Sequence, residues 1–297
     1  MAVLACSGRA EDVLKIVHQG VERTAVVTQP SAAPQDSRPV VIALHGLGGT
    51  GANFRTWAGF DAIAEREGIL AVYPDAIEQR WSYGRAIANP TPRIGGEEVD
   101  DVGFIHRLID ELVAKWRAEP KRIYVSGPSR GGLMTFTLAC ALSERIAAAA
   151  PIITGMTDHQ RAGCSPAKVV PLVLIAGTND TSQVYDGWLV PAGRLLSVPE
   201  TMEFWRTMHG CTAQTGRLLP KREATDRTNV AVIDWQGCRV ANSLRFYRVQ
   251  GGGHQIPSLT TKLNPMSEQR FGLRNRDIES AEEIWSFVKN FELASPN

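Results

Sequence analysis

A serine flanked by glycines is the feature of this chain best suited to covalent chemistry. Ser129 lies in the run Gly127-Pro128-Ser129-Arg130-Gly131, directly after the apolar residues Ile123-Tyr124-Val125. This G-x-S-x-G pattern at the end of a predicted strand favours a sharp strand-to-helix turn that exposes the hydroxyl, and the glycines leave room for that turn. A serine that only caps the next helix is the alternative. Because free serine is a weak nucleophile, catalysis also requires a base and an acid.

Candidates for the base and the acid both follow along the chain. We predict His254, which ends the run Gly251-Gly252-Gly253-His254, as the general base. We predict Asp180, which closes the strand-like run of residues 171–180, as the acid that orients the histidine. The order Ser, Asp, His is the one found in α/β-hydrolases.

Other side chains compete for these two roles. His209 also follows Asp180, but it lies in a helical pattern with Trp205, which favours a packed or surface histidine. Asp186 stands six residues beyond Asp180, and Asp158 precedes the predicted strand. Asp180 is preferred because the end of a buried strand would hold its carboxylate rigidly.

Attack by a serine on a carbonyl would create an oxyanion that needs two backbone N–H donors. We predict the N–H of Arg130, directly after the serine, as one donor. The other is expected from Leu47, in the run His45-Gly46-Leu47 after the first central strand. His45 is expected to brace this loop rather than to act as the base.

The same glycine-rich loop also matches a different ligand-binding pattern. Residues 46–51 fit the G-x-G-x-x-G fingerprint of dinucleotide-binding folds, with Asp75 as the acidic residue that would bind the ribose. Asp75 lies about thirty residues on, rather than the usual ~20. This interpretation leaves Ser129, Asp180 and His254 unexplained. An NAD-dependent oxidoreductase is therefore the weaker alternative, and we expect no cofactor.

Apolar strands alternate with helices through most of the chain, which is typical of a mostly parallel sheet covered by helices on both faces. We therefore predict an α/β-hydrolase fold, as a single domain over residues 1–297. Residues 1–38 are expected to hold one amphipathic stretch and a polar connecting segment. A helix is expected directly after Ser129, and another from residue 101 that ends before Pro120. The other predicted strands cover residues 39–44, 69–73, 122–126, 151–153, 171–176, 230–235 and 244–249, and the other predicted helices cover residues 60–66, 201–209 and 278–291.

Composition and charge narrow the range of partners. The formal net charge is +1 and no basic stripe occurs, so we expect no nucleic-acid partner. No apolar run reaches the ~20 residues that span a bilayer. No cysteine or histidine spacing is typical of a zinc site, so we expect no metal.

The five cysteines bear on redox compartment and export. Cys140 lies on a helical apolar pattern, which favours a buried thiol. Cys211 and Cys238 each follow a glycine, and they form either a disulfide in an oxidising compartment or two reduced thiols.

The first residues leave the localisation open. Val3-Leu4-Ala5-Cys6 loosely resembles a bacterial lipoprotein cleavage box, although the basic and apolar regions of a signal peptide are missing. Either the chain starts inside a signal, with residues 1–20 as a remnant and Cys6 as a lipid anchor, or the match is chance. We expect an exported protein in the first case and a cytoplasmic one in the second.

Together these motifs resemble the polyhydroxybutyrate-depolymerase-like esterases, a branch of the α/β-hydrolases that also includes feruloyl and acetylxylan esterases. The resemblance runs from about residue 38 to the C-terminus, with the motifs in the family's order. It rests on Leu44–Gly49, Tyr73–Asp75 with Trp81, Val99–Phe104, Gly127–Gly132, Gly177–Asp180, Phe204-Trp205 with Gly210-Cys211, and Gly251–His254.

The resemblance has three implications. It implies a catalytic triad of Ser129, Asp180 and His254, in agreement with the interpretation from the residues alone. It implies a disulfide between Cys211 and Cys238, and it implies export from a bacterial cytoplasm.

The chain also departs from the family pattern. Arg130 follows the serine where a small residue is common, and Ala176 stands where the family usually has histidine. Residues 255–257 read Gln-Ile-Pro where Thr-Trp-Pro is frequent. These departures bear on substrate preference more than on mechanism.

The substrate expected from the resemblance is a carboxylic ester cleaved through an acyl-enzyme. Enzymes that degrade solid polyester usually carry a polymer-binding module and a Ser/Thr-rich linker, and the sequence contains neither. We therefore expect a soluble ester or a hydroxyalkanoate oligomer, with feruloyl or acetylxylan esters as the alternative and a non-catalytic binding protein as a remote one. Trp81, Tyr83 and Trp188 either line a substrate pocket or pack internally.

Overall fold

The computed structural model describes residues 12–31, 36–84, 90–190, 193–262 and 264–294. The cleavage box at residues 3–6 lies outside them. The strands are β1 (Asp12–His18), β2 (Val21–Thr28), β3 (Arg38–Ala43), β4 (Leu70–Pro74), β5 (Arg93–Ile94), β6 (Glu97–Glu98), β7 (Ala118–Pro128), β8 (Ala148–Ile152), β9 (Leu172–Gly177), β10 (Trp188–Val190), β11 (Gly193–Leu195), β12 (Ala213–Leu218), β13 (Asn229–Gln236) and β14 (Leu244–Gln250). The helices are α1 (Gly51–Ala58), α2 (Phe60–Glu67), α3 (Asp101–Lys115), α4 (Arg130–Ala141), α5 (Asp158–Gly163), α6 (Val198–His209), α7 (Pro265–Phe271) and α8 (Ser280–Val288).

Ten of the strands form one sheet in the order β1-β2-β4-β3-β7-β8-β9-β14-β13-β12. The six strands from β4 to β14 are parallel to one another, and the strands at both edges are antiparallel. The prediction of a mostly parallel sheet of the α/β-hydrolase type is confirmed. The single-domain organisation over residues 1–297 stays a prediction.

Each central strand supplies side chains to two apolar cores, one on each face of the sheet. In β3, Val40 and Ile42 belong to the core covered by α3, α4 and α6, whereas Val41 and Ala43 belong to the core covered by α1, α2 and α8. This alternation follows from the two-residue period of a strand. Strands that are buried on both faces need continuous apolar runs, which is why the sequence signals them clearly.

Both edges of the sheet differ from what the sequence pattern predicted. The amphipathic stretch near the N-terminus is the hairpin β1–β2, turned at Gln19 and Gly20 with φ of 50° and 73°. At the other edge, every side chain of β12 is exposed, and residues 213–218 carry no apolar alternation. An edge strand with two solvent-exposed faces leaves no hydrophobic period in the sequence.

Two disulfides tie helices to neighbouring loops. Cys211, two residues after the end of α6, is bonded to Cys238, two residues after the end of β13, as the resemblance implies. Cys140 near the end of α4 is bonded to Cys164 after α5, so the prediction of a buried thiol at Cys140 is wrong. Cys140 lies on the partly exposed side of α4 that meets α5, where the two cysteine Cα atoms come within 5.1 Å.

Neither a metal site nor a membrane span is found in the described part of the chain. No group of three His, Cys, Asp or Glu side chains there could hold a metal ion. None of the helices over these residues has the length and apolar character needed to cross a bilayer.

Candidate active site

Ser129 lies at the sharp turn between β7 and α4, with φ 55° and ψ −120°. Positive φ is rare for a residue with a β-carbon and costs on the order of 1–3 kcal/mol, so it persists only where the surroundings impose it. The Ser129 N–H donates to the carbonyl oxygen of Ile152 on β8 at 2.9 Å, and its own carbonyl accepts from the N–H of Leu133 on α4 at 2.9 Å. The turn is therefore held by the sheet on one side and by the helix on the other.

The glycines beside the serine are required because the turn presses against neighbouring groups. A β-carbon on Gly127 would lie 2.6 Å from the carbonyl oxygen of Leu44, and one on Gly131 would lie 2.5 Å from the same oxygen. A β-carbon on Gly132 would lie 2.6 Å from the Thr154 Cγ2 atom. Only glycine permits this close approach.

A chain of hydrogen bonds joins the three predicted side chains. The Nε2 atom of His254 lies 3.0 Å from the Ser129 hydroxyl oxygen, and its Nδ1 atom lies 2.7 Å from the Asp180 Oδ2 atom. An ionised carboxylate only accepts hydrogen bonds, so Nδ1 carries the proton and Nε2 is free to accept from the serine hydroxyl. The other Asp180 oxygen accepts the N–H groups of Ser182 and Gln183, both at 2.8 Å. The carboxylate is thereby fixed in its direction toward the imidazole.

The loops that carry Asp180 and His254 are in direct contact at the carboxyl edge of the sheet. The N–H of Asn179 donates to the carbonyl oxygen of Gly252 at 2.8 Å. A β-carbon on Gly177 would collide with that same carbonyl. Because the two loops are in contact where they leave the sheet, the carboxylate and the imidazole keep a fixed position relative to each other.

A second segment, which the sequence did not reveal, supports the histidine from its other side. The N–H of Gly253 donates to the carbonyl oxygen of Leu273 at 2.9 Å, and the N–H of His254 donates to that of Phe271 at 2.5 Å. The Phe271 ring lies 6.4 Å from the imidazole, centroid to centroid. The end of α7 and the residues directly after it thus limit the movement of the histidine backbone.

The alternative base and acids lie elsewhere. His209 is fully buried, with its Nδ1 atom 2.8 Å from the Ser243 hydroxyl, and burial lowers the pKa of His209 to about 4. Asp186 is exposed, and Asp158 is the first residue of α5. No hydrogen bond joins any of the three to the serine–histidine pair among the described residues.

The two predicted oxyanion donors flank the turn. Arg130 begins α4 directly after the serine. Leu47 follows Gly46, and a β-carbon on Gly46 would lie 3.9 Å from the Ser129 Cβ atom, which places this loop against the turn. In the part of the chain that the structure describes, no hydrogen bond of the Leu47 N–H is found.

His45 braces the loop that precedes Leu47. Its Nε2 atom accepts the N–H of Ala76 at 3.1 Å, so its proton lies on Nδ1, which donates to the carbonyl oxygen of Gly46 at 2.7 Å. Burial lowers the pKa of His45, which favours this neutral form. A histidine held in this way is not the base.

The glycine-rich loop does not have the arrangement of a dinucleotide site. Thr50 caps α1 by accepting the N–H of Asn53 at 3.2 Å. The Asp75 carboxylate accepts the N–H of Gly51 at 2.7 Å and the hydroxyl of Thr24 at 2.6 Å. Both oxygens of the acid that would bind a ribose are therefore engaged by the protein.

The three aromatic residues that either line a pocket or pack internally differ in their surroundings. Trp81 is fully buried, and its indole N–H donates to the carbonyl oxygen of His45 at 2.9 Å, which favours the internal packing that the sequence left open. Tyr83 is 3% exposed and lines a cavity of about 400 Å³ between α4 and α5. Trp188 is 36% exposed on β10.

A buried ion pair near the site was not foreseen from the sequence. Of the two adjacent acids at the start of α3, Asp100 caps the helix by accepting the N–H of Gly103 at 2.8 Å. Asp101 is instead buried, and its carboxylate accepts from Arg23 at 2.6 Å and from the N–H of Ser82 at 2.7 Å. The adjacent acids in the sequence carry no signal that distinguishes these roles.

Comparison with known proteins adds to this geometry. Residues 18–154 match the Esterase family model, described as "Putative esterase". Feruloyl esterase B from Piromyces equi is 28% identical over 244 residues, which are 78% of this chain and 42% of that protein. Poly(3-hydroxyalkanoate) depolymerase C from Paucimonas lemoignei is 30% identical over 131 residues, which are 42% of this chain and 30% of that protein. The chain thus spans less than half the length of these two relatives.

A solved structure extends the comparison to the fold. The acetyl xylan esterase from Aspergillus awamori aligns with a TM-score of 0.61 and 16% identity, over 83% of this chain and 95% of that one. At this level of identity the match shows a shared fold.

Replacing one glycine of the turn should be costly. In Gly131→Ala the new β-carbon meets the Leu44 carbonyl oxygen at 2.5 Å, so we expect the free energy of unfolding to fall by about 1–3 kcal/mol. The matched control is Gly163→Ala at the end of α5, where a β-carbon meets nothing within 4 Å. Urea denaturation measures both variants, and equal stabilities would contradict the close packing of the turn.

The buried His209 should make stability depend on pH. Burial lowers the pKa of His209 from 6.5 to about 4, so between these pH values the unfolded chain binds more protons than the folded chain. The free energy of unfolding therefore keeps the full contribution of the neutral histidine above pH 6.5 and loses it as the pH drops toward 4. The loss should reach on the order of 3 kcal/mol. Chemical denaturation of the wild type and of His209→Gln at pH 7 and pH 4.5 measures it. Identical pH dependence in the two proteins would rule this source out.

Proposed function

We propose, on the premise that this chain is an esterase of the α/β-hydrolase fold, that it hydrolyses carboxylic esters with Ser129 as the nucleophile. The observation that carries the proposal is the unbroken hydrogen-bond chain from the serine hydroxyl through His254 to Asp180. Nucleophile, base and orienting acid at hydrogen-bond distance are the arrangement that serine catalysis needs.

In the first half of the reaction the Ser129 oxygen attacks the ester carbonyl carbon, and its proton passes to the Nε2 atom of His254. The carbonyl oxygen becomes an oxyanion, which the N–H groups of Leu47 and Arg130 stabilise. The imidazole is then positively charged, and the Asp180 carboxylate beside Nδ1 stabilises that charge. The tetrahedral intermediate collapses as the C–O bond to the alcohol breaks and Nε2 returns the proton to the leaving oxygen.

In the second half water hydrolyses the acyl-enzyme. His254 takes a proton from the water as its oxygen attacks the acyl carbon, the same two N–H groups hold the oxyanion, and the proton returns to Ser129 as the acid is released. The chemistry uses groups of the chain and water alone, and no cofactor is part of the proposal.

We propose a soluble ester or a hydroxyalkanoate oligomer as the substrate. The relative named poly(3-hydroxyalkanoate) depolymerase supports the oligomer. Relatives named feruloyl esterase and acetylxylan esterase support an aromatic or acetylated carbohydrate ester as the second candidate. A hydrolysis panel of p-nitrophenyl esters of rising chain length, methyl ferulate, acetylated xylan and hydroxybutyrate oligomers separates them by kcat/KM.

We also propose that the protein is exported. Its two disulfides, Cys140–Cys164 and Cys211–Cys238, support an oxidising compartment. A lipid anchor at Cys6 belongs to the same proposal and concerns residues outside the described part of the chain.

Removing any member of the triad should nearly abolish ester hydrolysis. We expect Ser129→Ala, His254→Ala and Asp180→Asn each to lower kcat by about 10⁴-fold, because none of the remaining groups can replace the missing step. The assay is p-nitrophenyl butyrate hydrolysis by purified variants with wild-type circular dichroism spectra.

His209→Gln is the matched control, because its histidine lies in the core and should leave kcat within about twofold. A Ser129→Ala enzyme with wild-type turnover would refute the proposal. A wild-type protein that turns over no ester would favour a binding protein with this fold.

A further inference from the structure

One segment holds the loop that carries the oxyanion donor Leu47. We call residues 75–82 the brace. The N–H of Ala76 in the brace donates to the His45 ring. The carbonyl oxygen of Gln79 in the brace accepts the N–H of Gly48 at 3.0 Å. The indole N–H of Trp81 donates to the carbonyl oxygen of His45 at 2.9 Å. The loop is therefore attached to the brace at three points on both sides of Leu47.

The same brace contacts the segment that carries the other donor. The carbonyl oxygen of Trp81 accepts from the Nε atom of Arg130 at 2.9 Å. The Arg130 residue is only 4% exposed, and its guanidinium carbon lies 5.0 Å from the centre of the Tyr83 ring. Trp81 is thus bonded through its indole to the first donor segment and through its carbonyl to the second.

The brace itself is anchored at both ends by buried charges. At one end the N–H of Ser82 donates to Asp101 at 2.7 Å. At the other end Arg23 donates to the carbonyl oxygen of Asp75 at 2.9 Å, and the same guanidinium bonds Asp101 at 2.6 Å. The side chains of Arg23 and Asp101 are 2% and 0% exposed, and breaking such a pair would leave a buried unpaired charge. The brace therefore has a fixed position from which Trp81 can act.

We propose that Trp81 is a positioning residue that sets the spacing between the two oxyanion donors, a role that rests on the proposed function. Stabilisation of an oxyanion depends on donors that are already in place before charge develops. Trp81 joins the Leu47 loop to the start of α4, so loss of its indole N–H removes one of the three attachments of the loop and lets the first donor shift relative to the second. Trp81 acts on the transition state and leaves binding of the ground-state ester unchanged.

The test is Trp81→Phe, which keeps an aromatic ring in the core and removes the N–H donor. We expect kcat for p-nitrophenyl butyrate to fall 10- to 100-fold with KM within about twofold. A trifluoromethyl ketone forms an anionic adduct with an active serine, so its Ki should rise by the same factor as kcat/KM falls. If Trp81 only packs in the core, Trp81→Phe would lower the melting temperature, and the Ki of the ketone and kcat/KM would not change by the same factor.

The matched control is Trp205→Phe on α6. Trp205 is also 0% exposed, but within the described residues its indole N–H has no hydrogen-bond partner. This variant should lose stability and keep kcat and Ki. Equal kcat losses in the Trp81 and Trp205 variants would overturn the proposal.

A second variant reaches the same contact from the other side. Arg130→Met keeps the backbone N–H and an apolar stem but removes the bond to the Trp81 carbonyl, and it should raise the Ki of the ketone and lower kcat/KM together. Unchanged Ki in both the Trp81 and Arg130 variants would overturn the positioning role while hydrolysis by Ser129 stands. Full turnover by Ser129→Ala would instead refute the proposed function.

Discussion

The backbone of Ser129 is the constraint on which the rest of the site depends. Its φ of 55° is unfavourable for any residue with a β-carbon, and it lifts the hydroxyl above the carboxyl edge of the sheet. The strain persists because the turn is hydrogen-bonded to β8 and α4, and because Gly127 and Gly131 allow the end of β3 to lie against it. The parallel sheet supplies these neighbours, so the fold makes the reactive position possible.

The geometry of the proposed triad then follows from contacts between loops at that edge. Gly177 and Gly252 bring the acid loop and the histidine loop together, and the end of α7 with the residues directly after it supports the histidine loop from the far side. A third group of contacts, around Trp81, joins the two segments that carry the proposed oxyanion donors. The first two groups use backbone hydrogen bonds and close approach at glycine, and the third uses side-chain N–H donors on backbone carbonyls. Such contacts fix positions before the reaction, as transition-state stabilisation requires.

Much of this arrangement is predictable from the sequence, and the remainder is not for identifiable reasons. Strands such as β3 and β9 are buried on both faces and so appear as unbroken apolar runs, and the residues at the ends of such strands include Ser129 and Asp180. The edge strand β12 has no buried face and leaves no pattern. The Cys140–Cys164 bond and the burial of Trp81 both depend on which elements pack together, which neither spacing nor composition encodes.

The most direct test of the account is to identify the residue that becomes covalently modified. Incubation with a fluorophosphonate ester, followed by proteolysis and peptide mass spectrometry, should find one adduct, on the peptide that contains Ser129, formed at a rate that falls by orders of magnitude in His254→Ala. An adduct on a different residue would contradict the account. So would an unmodified Ser129 in a protein that still hydrolyses esters in the presence of the reagent.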